Sequence, residues 1–213
     1  MRLEEKIISK VRPYTDRAER AGFIAESFGW AIREPLLDVG SGQQHLKKVL
    51  TQGFAYTGID VTDEADVHFN LDSGTIPFEA GSFETVVCAD TLEHLENIHF
   101  VLTELFRLSR RWVILSLPNC WCDMKFLMAG RGRGSGKFYG LPLQKPPDRH
   151  RWFFNYSEAR SFLLSSAEGL ASNVWLYRYY GLKGHSFYLA NLMLPKALFD
   201  ELFVNTLWAV FEK

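Results

Sequence analysis

Short apolar runs, each closed by a turn residue or an acid, recur through the first 120 positions of the chain. Leu36, Leu37 and Val39 form the first, interrupted only by Asp38 and followed by Gly40 and Gly42. The second, AYTGIDV over 55–61, carries Asp60 near its end, and Val67, Phe69 and Leu71 alternate with polar neighbours until Asp72. FETVVCAD (83–90) and WVILSLPN (112–119) are nearly continuous, as strands covered on both faces are. Between them the period changes. Leu92, Leu95, Ile98, Leu102, Leu105 and Leu108 recur at helical spacing and predict one amphipathic helix over 91–109. SNVWLYRYYG (172–181) and TLWAVFEK (206–213) supply two further strands. Strands alternating with helices at this spacing predict an α/β fold, a mostly parallel sheet with helices on both faces.

The flanking segments read as helical. Ile7, Ile8 and Val11 share a stripe, Pro13 interrupts, and Ala18, Ala21, Phe23, Ile24 and Phe28 continue after a cap built from Thr15, Asp16 and Glu19. Residues 1–32 are thus expected to be helices packed on the sheet edge or lying over a ligand site. Residues 184–204 hold a second helical insertion, with Pro195 opening its second helix. It is more apolar than a surface helix needs and would cover the substrate pocket, form a dimer face or touch a membrane surface, burial in the monomer or a dimer being preferred. A homodimer or a protein partner is the expected association.

Composition narrows the classes. The 213 residues suit a single domain, 47% of them are hydrophobic, and the formal charge of −1 gives no bulk attraction to nucleic acid. No apolar run reaches membrane-spanning length and MRLEEKIISK lacks the apolar core of a signal peptide, so no transmembrane segment and a cytoplasmic location are expected. Cys88, Cys120 and Cys122 read as structural, and no metal is expected, because no second cysteine pair or histidine cluster completes a tetrahedral set around Cys120 and Cys122.

A strand, a glycine turn and a helix start at 36–50 make a cradle of backbone N–H groups. A dinucleotide fingerprint would require glycine where His45 stands, and a P-loop would require a Gly-Lys-Ser/Thr that is missing. What remains is an acid two residues before the first glycine and another, Asp60, twenty residues after it, where a Rossmann-type fold sets a carboxylate against ribose hydroxyls. That layout suits a ligand with an ammonium group and a ribose. An ordinary glycine-rich turn in another α/β protein fits the loop equally well.

Taken in order, LLDVGSG, GIDV, NLD, IPFEAGSFETVVCADTLEHL and RLSRRWVILSLPN resemble the class I S-adenosylmethionine-dependent methyltransferases over residues 35–119. The likeness extends to methyltransferase type 11-like and MetW-like proteins. It implies a Rossmann-like seven-stranded sheet of order 3-2-1-4-5-7-6 with the last strand antiparallel, and S-adenosylmethionine as cofactor, leaving S-adenosylhomocysteine. By the same resemblance, Asp38 would face the methionine ammonium, with Gly40 and Gly42 admitting the backbone. Asp60 would hold the ribose diol, Leu71 and Asp72 the adenine, and Ala89 and Asp90 would border the sulfonium. The family loop has a third glycine where this chain has Gln44, which would either crowd the methionine tail or donate to its carboxylate.

The acceptor side is expected in a lid over 120–155. Between Lys125 and Arg151 stand seven Lys or Arg and one acid, Asp148, which gives Arg131, Arg133, Arg149 and Arg151 as groups for an anionic substrate. A solvated flexible loop accounts for the same charge. Asp90, His94 and His150 are the catalytic candidates for a proton taken from the acceptor; His45 and His99 are read as surface. The end of the fourth strand reads ADTLEH and lacks the Asn/Asp-Pro-Pro-aromatic motif of DNA-base amino-methyltransferases, which argues against nucleic acid. The reading is a methyltransferase acting on a small-molecule or glycan-type acceptor. The rival is a non-catalytic partner protein of the same fold that binds another enzyme.

Overall fold

A computed structural model of the chain describes residues 1–8, 13–122, 124, 144, 149–181 and 185–213. Its centre is one eight-stranded sheet built from β1 (Arg2–Ile7), β2 (Leu36–Val39), β3 (Tyr56–Asp60), β4 (Val67–His68), β5 (Phe83–Ala89), β6 (Ser109–Pro118), β7 (Asn173–Tyr179) and β8 (Thr206–Glu212). The spatial order is β1-β7-β8-β6-β5-β2-β3-β4. Seven of these strands reproduce the expected 3-2-1-4-5-7-6 arrangement. Only β8 runs against its neighbours, pairing antiparallel with both β6 and β7. The class is Rossmann-like α/β, with one strand more than expected.

That extra strand corrects the reading of the N-terminus as helical. Residues 2–7 pair parallel with β7 from Arg2–Asn173 to Ile7–Arg178. The stripe of Ile7 and Ile8 is too short and uncapped to hold a helix alone. The open edge of β7 instead offers a continuous row of backbone partners, a long-range gain that local spacing does not record. Helix formation begins only after Pro13, at α1 (Arg17–Phe28), where Asp16 accepts from the Glu19 amide and Glu19 accepts from both the amide and hydroxyl of Thr15. These bonds satisfy donors that a helix start leaves orphaned.

Side chains of the buried strands alternate between two cores. Leu37, Val86, Cys88, Val113 and Leu115 point to the face covered by α3 (Ile98–Leu108) and α4 (Tyr156–Ser166). Leu36, Val87, Ile114 and Trp208 point to the face covered by α1 and the short α2 (His45–Val49). On that second face Phe28, fully buried, meets Trp208 at 5.3 Å and Phe23 edge-on at 6.0 Å between ring centres. Aromatic packing of this kind adds about 0.5–1.5 kcal/mol per pair beyond the area buried. It fixes α1 over the sheet rather than at its margin.

The predicted helix over 91–109 is two elements. A 3-10 turn, Leu92–His94, ends with Leu95 in extended conformation, and α3 starts only at Ile98. The break is imposed from outside, because the Asp72 carboxylate accepts the amides of Glu96 and Asn97. His94 therefore sits in a tight turn, not one turn into a helix. The 184–204 insertion holds two helices, α5 (His185–Met193) and α6 (Lys196–Phe203), the second starting after Pro195 as read from sequence. Most of the 120–155 lid, with Arg131 and Arg133, lies outside the described residues. No helix among the described residues is long and apolar enough to cross a membrane.

Candidate functional site

The chain adds β3 and β4 on one side of β2 and β5 and β6 on the other. In sheets of this kind the crevice beyond the carboxyl ends of the strands, at that reversal, is where ligands bind. A cavity of about 400 Å³ lies there, lined by the ends of β2, β3 and β5 and roofed by Arg17, Arg20, Ala21 and Ile24 of α1. Its size is that of a small-molecule site. The α1 residues were not among those read from sequence; the signal was present only as the choice between edge and roof.

Asp38 stands at the end of β2, buried on the α1 face. The Tyr56 hydroxyl donates to its Oδ2 at 2.7 Å. Burial pushes its carboxyl up to about 6, against the Tyr56 hydrogen bond and the positive Arg20. Burial outweighs both, so a further cation in the cavity would stabilise the ionised carboxylate. Gly40 follows at φ +77°, and a Cβ there would fall 2.1 Å from Thr91 Oγ1. Only glycine lets β2 and the turn after β5 approach this closely.

Gly42 and Gln44 also take left-handed backbone, Gln44 at φ +53°. The fold thus imposes at position 44 the conformation for which the family uses glycine. Gln44 is buried and is not among the residues lining the cavity.

Asp60 lines the cavity from the end of β3. Its Oδ2 accepts the Gly42 amide at 2.8 Å, and Oδ1 accepts the amides of Val61 and Thr62. The carboxylate thus clamps the glycine loop as well as facing the cavity. Leu71 and Asp72 are also on the wall, together with Asn70, which sequence reasoning passed over. Asp72 spends its carboxylate on the start of α3, and the Asn70 side chain accepts the Asp72 amide at 3.0 Å.

Ala89 and Asp90 reach the cavity at the end of β5. Asp90 has φ +48° and is gripped by the Arg20 guanidinium and by the Ser116 hydroxyl, which also accepts the Asp90 amide at 2.9 Å. Through these contacts Asp90 locks α1 onto β5 and β6.

His94 is on the wall beside Leu95. His150, remote in sequence, packs edge-on against it with ring centres 4.7 Å apart. Glu93, only 1% exposed, joins them. Its Oε1 lies 3.8 Å from His94 Nε2 and 3.9 Å from His150 Nε2. Arg149 is exposed, whereas Arg151 is engaged by Glu96 and by the His94 carbonyl at 2.7 Å. Arg151 is therefore a brace between two segments. His99 is exposed as expected, but His45 borders the cavity. Cys88, Cys120 and Cys122 are buried and behave as small core residues.

The model of a family described as "Methyltransferase domain" matches residues 5–163, well over half of the chain. The chain belongs to this methyltransferase family. No curated protein matches it. Among solved structures, the methyltransferase domain of bacterial CtHen1-C superposes with a TM-score of 0.60 at 16% identity, covering 92% of this chain and 97% of that one. A SAM-dependent methyltransferase from Archaeoglobus fulgidus gives 0.56 at 11% identity, covering 92% and 94%. A methyltransferase from Thermotoga maritima, described as a possible histamine N-methyltransferase, gives 0.54 at 10% identity, covering 91% and 89%. At these identities the likeness is one of fold. Membership of the methyltransferase family implies S-adenosylmethionine, and the cavity fits it. The fit rests on a buried carboxylate in want of a cation at Asp38, an acidic clamp at Asp60, and a glycine cradle at Gly40 that a single Cβ would fill.

Proposed function

We propose that this methyltransferase domain binds S-adenosylmethionine along the ends of β2 and β3 and methylates a small-molecule or glycan-type acceptor that enters between Asp90 and His94. The observation that carries the reading is the pair of carboxylates, Asp38 and Asp60, at adjacent strand ends on one cavity wall. When bound, the cofactor supplies a methyl group already activated on a sulfonium. Asp38 would take its ammonium, and Asp60 would accept hydrogen bonds from neighbouring ribose hydroxyls while its amide partners keep it in place. Leu71 and Asn70 would flank the adenine.

The chain's remaining task is positioning, which is worth roughly 7–11 kcal/mol in well-oriented reactions. The Arg20–Asp90 pair holds α1 down as a roof that excludes water from the reacting end. Arg17 on the rim and the exposed Arg149 offer positive charge to an anionic acceptor. A non-catalytic partner protein of the same fold would gain support from a Gln44 that obstructs the methionine end; Gln44 is not among the residues lining the cavity, which supports the enzyme reading.

Thermal unfolding with S-adenosylhomocysteine tests the assignment. Ligand at a hundredfold excess over its dissociation constant adds about 2.7 kcal/mol, and each kcal/mol moves the midpoint by about 2–4 °C for a chain of this size. A rise of several degrees that Asp60→Ala abolishes is expected. No rise at millimolar ligand would refute the proposal.

A further inference from the structure

Beyond the cofactor end, the geometry points to a second site. We propose that Glu93, His94 and His150 bind one divalent first-row metal ion that presents an open coordination position to the cavity, where a hydroxyl oxygen of the acceptor would sit. One donor atom from each residue lies within 4.8 Å of the other two. A point central to three donors so spaced is about 2.8 Å or less from each, and zinc-type bonds of about 2.0–2.2 Å are reached by closing roughly half an ångström. The two imidazole nitrogens stand 3.8 and 3.9 Å from the same carboxylate oxygen. A histidine–glutamate hydrogen bond would bring that spacing to about 2.7–3.2 Å. Both contacts are wider by a similar margin, which is the spacing expected of ligands around a shared ion.

The surroundings are built to hold these groups. The Glu93 carbonyl accepts the amides of Arg151 at 2.8 Å and Trp152 at 3.3 Å. In return, Arg151 Nε donates to the His94 carbonyl and Trp152 Nε1 to the Leu95 carbonyl at 2.6 Å. Four hydrogen bonds thus fasten the segment carrying Glu93 and His94 to the one carrying His150, across more than fifty residues of chain. Such outer supports are what orient ligands at metal sites. Glu93 is 1% exposed, so the carboxylate is withdrawn from water rather than solvated on the surface.

One carboxylate oxygen and two imidazoles suit manganese, iron, cobalt or zinc in the divalent state better than magnesium or calcium. The three ligands found among the described residues leave at least one position of a four-coordinate ion, and His94 faces the cavity beside Thr91. A hydroxyl bound there loses its proton more readily, because the positive ion stabilises the oxyanion. The O–H bond breaks with its electron pair left on oxygen, and the proton passes to water. Neither imidazole then serves as a base. This use of the ion rests on the methyltransferase reading; the metal site itself does not.

The test titrates chelator-stripped full-length protein with Co²⁺, following the visible ligand-field bands, and repeats this with Glu93→Gln and His150→Gln. In parallel, calorimetry measures S-adenosylhomocysteine binding to the wild type. One equivalent of Co²⁺ should bind, and each variant should weaken it at least tenfold while keeping the far-ultraviolet circular dichroism of the wild type. If the buried Glu93→Gln misfolds, the less central His150→Gln decides. Absence of binding at millimolar Co²⁺, or equal binding by a folded variant, overturns the site. Metal binding without S-adenosylhomocysteine binding keeps the site and overturns the methyltransferase reading. The reverse result overturns the site alone.

Discussion

The two ends of the cavity are made differently. At the cofactor end, Asp38 and Asp60 sit at the tips of neighbouring parallel strands, and each is held by groups of the same βαβ unit: Tyr56 for Asp38, and the amides of Gly42, Val61 and Thr62 for Asp60. At the acceptor end, Asp90, Glu93 and His94 depend on partners that arrive from elsewhere, Arg20 from α1 and Arg151, Trp152 and His150 from the segment before α4. The first end is a property of the sheet. The second is assembled from segments that can be replaced independently, so a single scaffold can keep one ligand and change the other.

Gly40→Ala should strike the difference hardest, because Gly40 is where the two ends touch. A Cβ 2.1 Å from Thr91 Oγ1 on a backbone at φ +77° must displace the turn after β5. A loss of about 1–3 kcal/mol of stability is expected. Urea unfolding should show it, and S-adenosylhomocysteine affinity should fall with it. A variant with wild-type stability would mean that the ends are not in contact as described.

Asp38 sharpens the contrast by pH. Its folded-state carboxyl is raised to about 6, above the ordinary value near 3.8. Its contribution to stability is therefore fully present below the ordinary value and is lost as pH rises through about 6. An ammonium-bearing ligand prefers the ionised form, so affinity should run the other way. S-adenosylhomocysteine should bind up to tenfold more tightly per pH unit as pH climbs toward 6, then level off. Asp38→Asn should flatten the profile. A wild-type profile flat from pH 5 to 8 would remove Asp38 from the ammonium site.

The smallest effect is expected at Arg151. Its pair with Glu96 is half in solvent, so Arg151→Ala should cost less than about 1 kcal/mol of stability. S-adenosylhomocysteine binding should be unchanged, whereas Co²⁺ should bind more weakly because His94 and His150 lose a common brace. Equal weakening of both ligands would mean that the two ends are one unit.

The same contrast explains what could be read from the sequence. Leu36–Val39, 55–61 and 83–90 announce buried strands by local pattern, and acids at their ends follow from the strand register, so the acidic wall of the cavity was legible. At Gln44 the residue type does not announce the backbone, which the turn holds at φ +53°. The helix over 91–109 was read as continuous because its leucines keep helical period, while the break comes from Asp72, a partner in a separate loop. Residues 2–7 became a strand through pairing with β7, some 170 positions away. Glu93, His94 and His150 form a cluster only once the 92–96 and 149–152 segments are hydrogen-bonded to each other. No linear spacing encodes that.

The strand that was not foreseen has a consequence for the company the molecule keeps. β1 leaves one margin of the sheet facing water, and a bare margin invites another chain to pair with it. Along it stand Arg2, Glu4, Glu5 and Lys6, with Glu4 bound to both Arg2 and Lys6 and Glu5 to Arg160. A neighbour adding to this margin would have to disrupt or desolvate those charges. The opposite margin, β4, is only two residues long. Both borders discourage edge-to-edge stacking of one sheet on another.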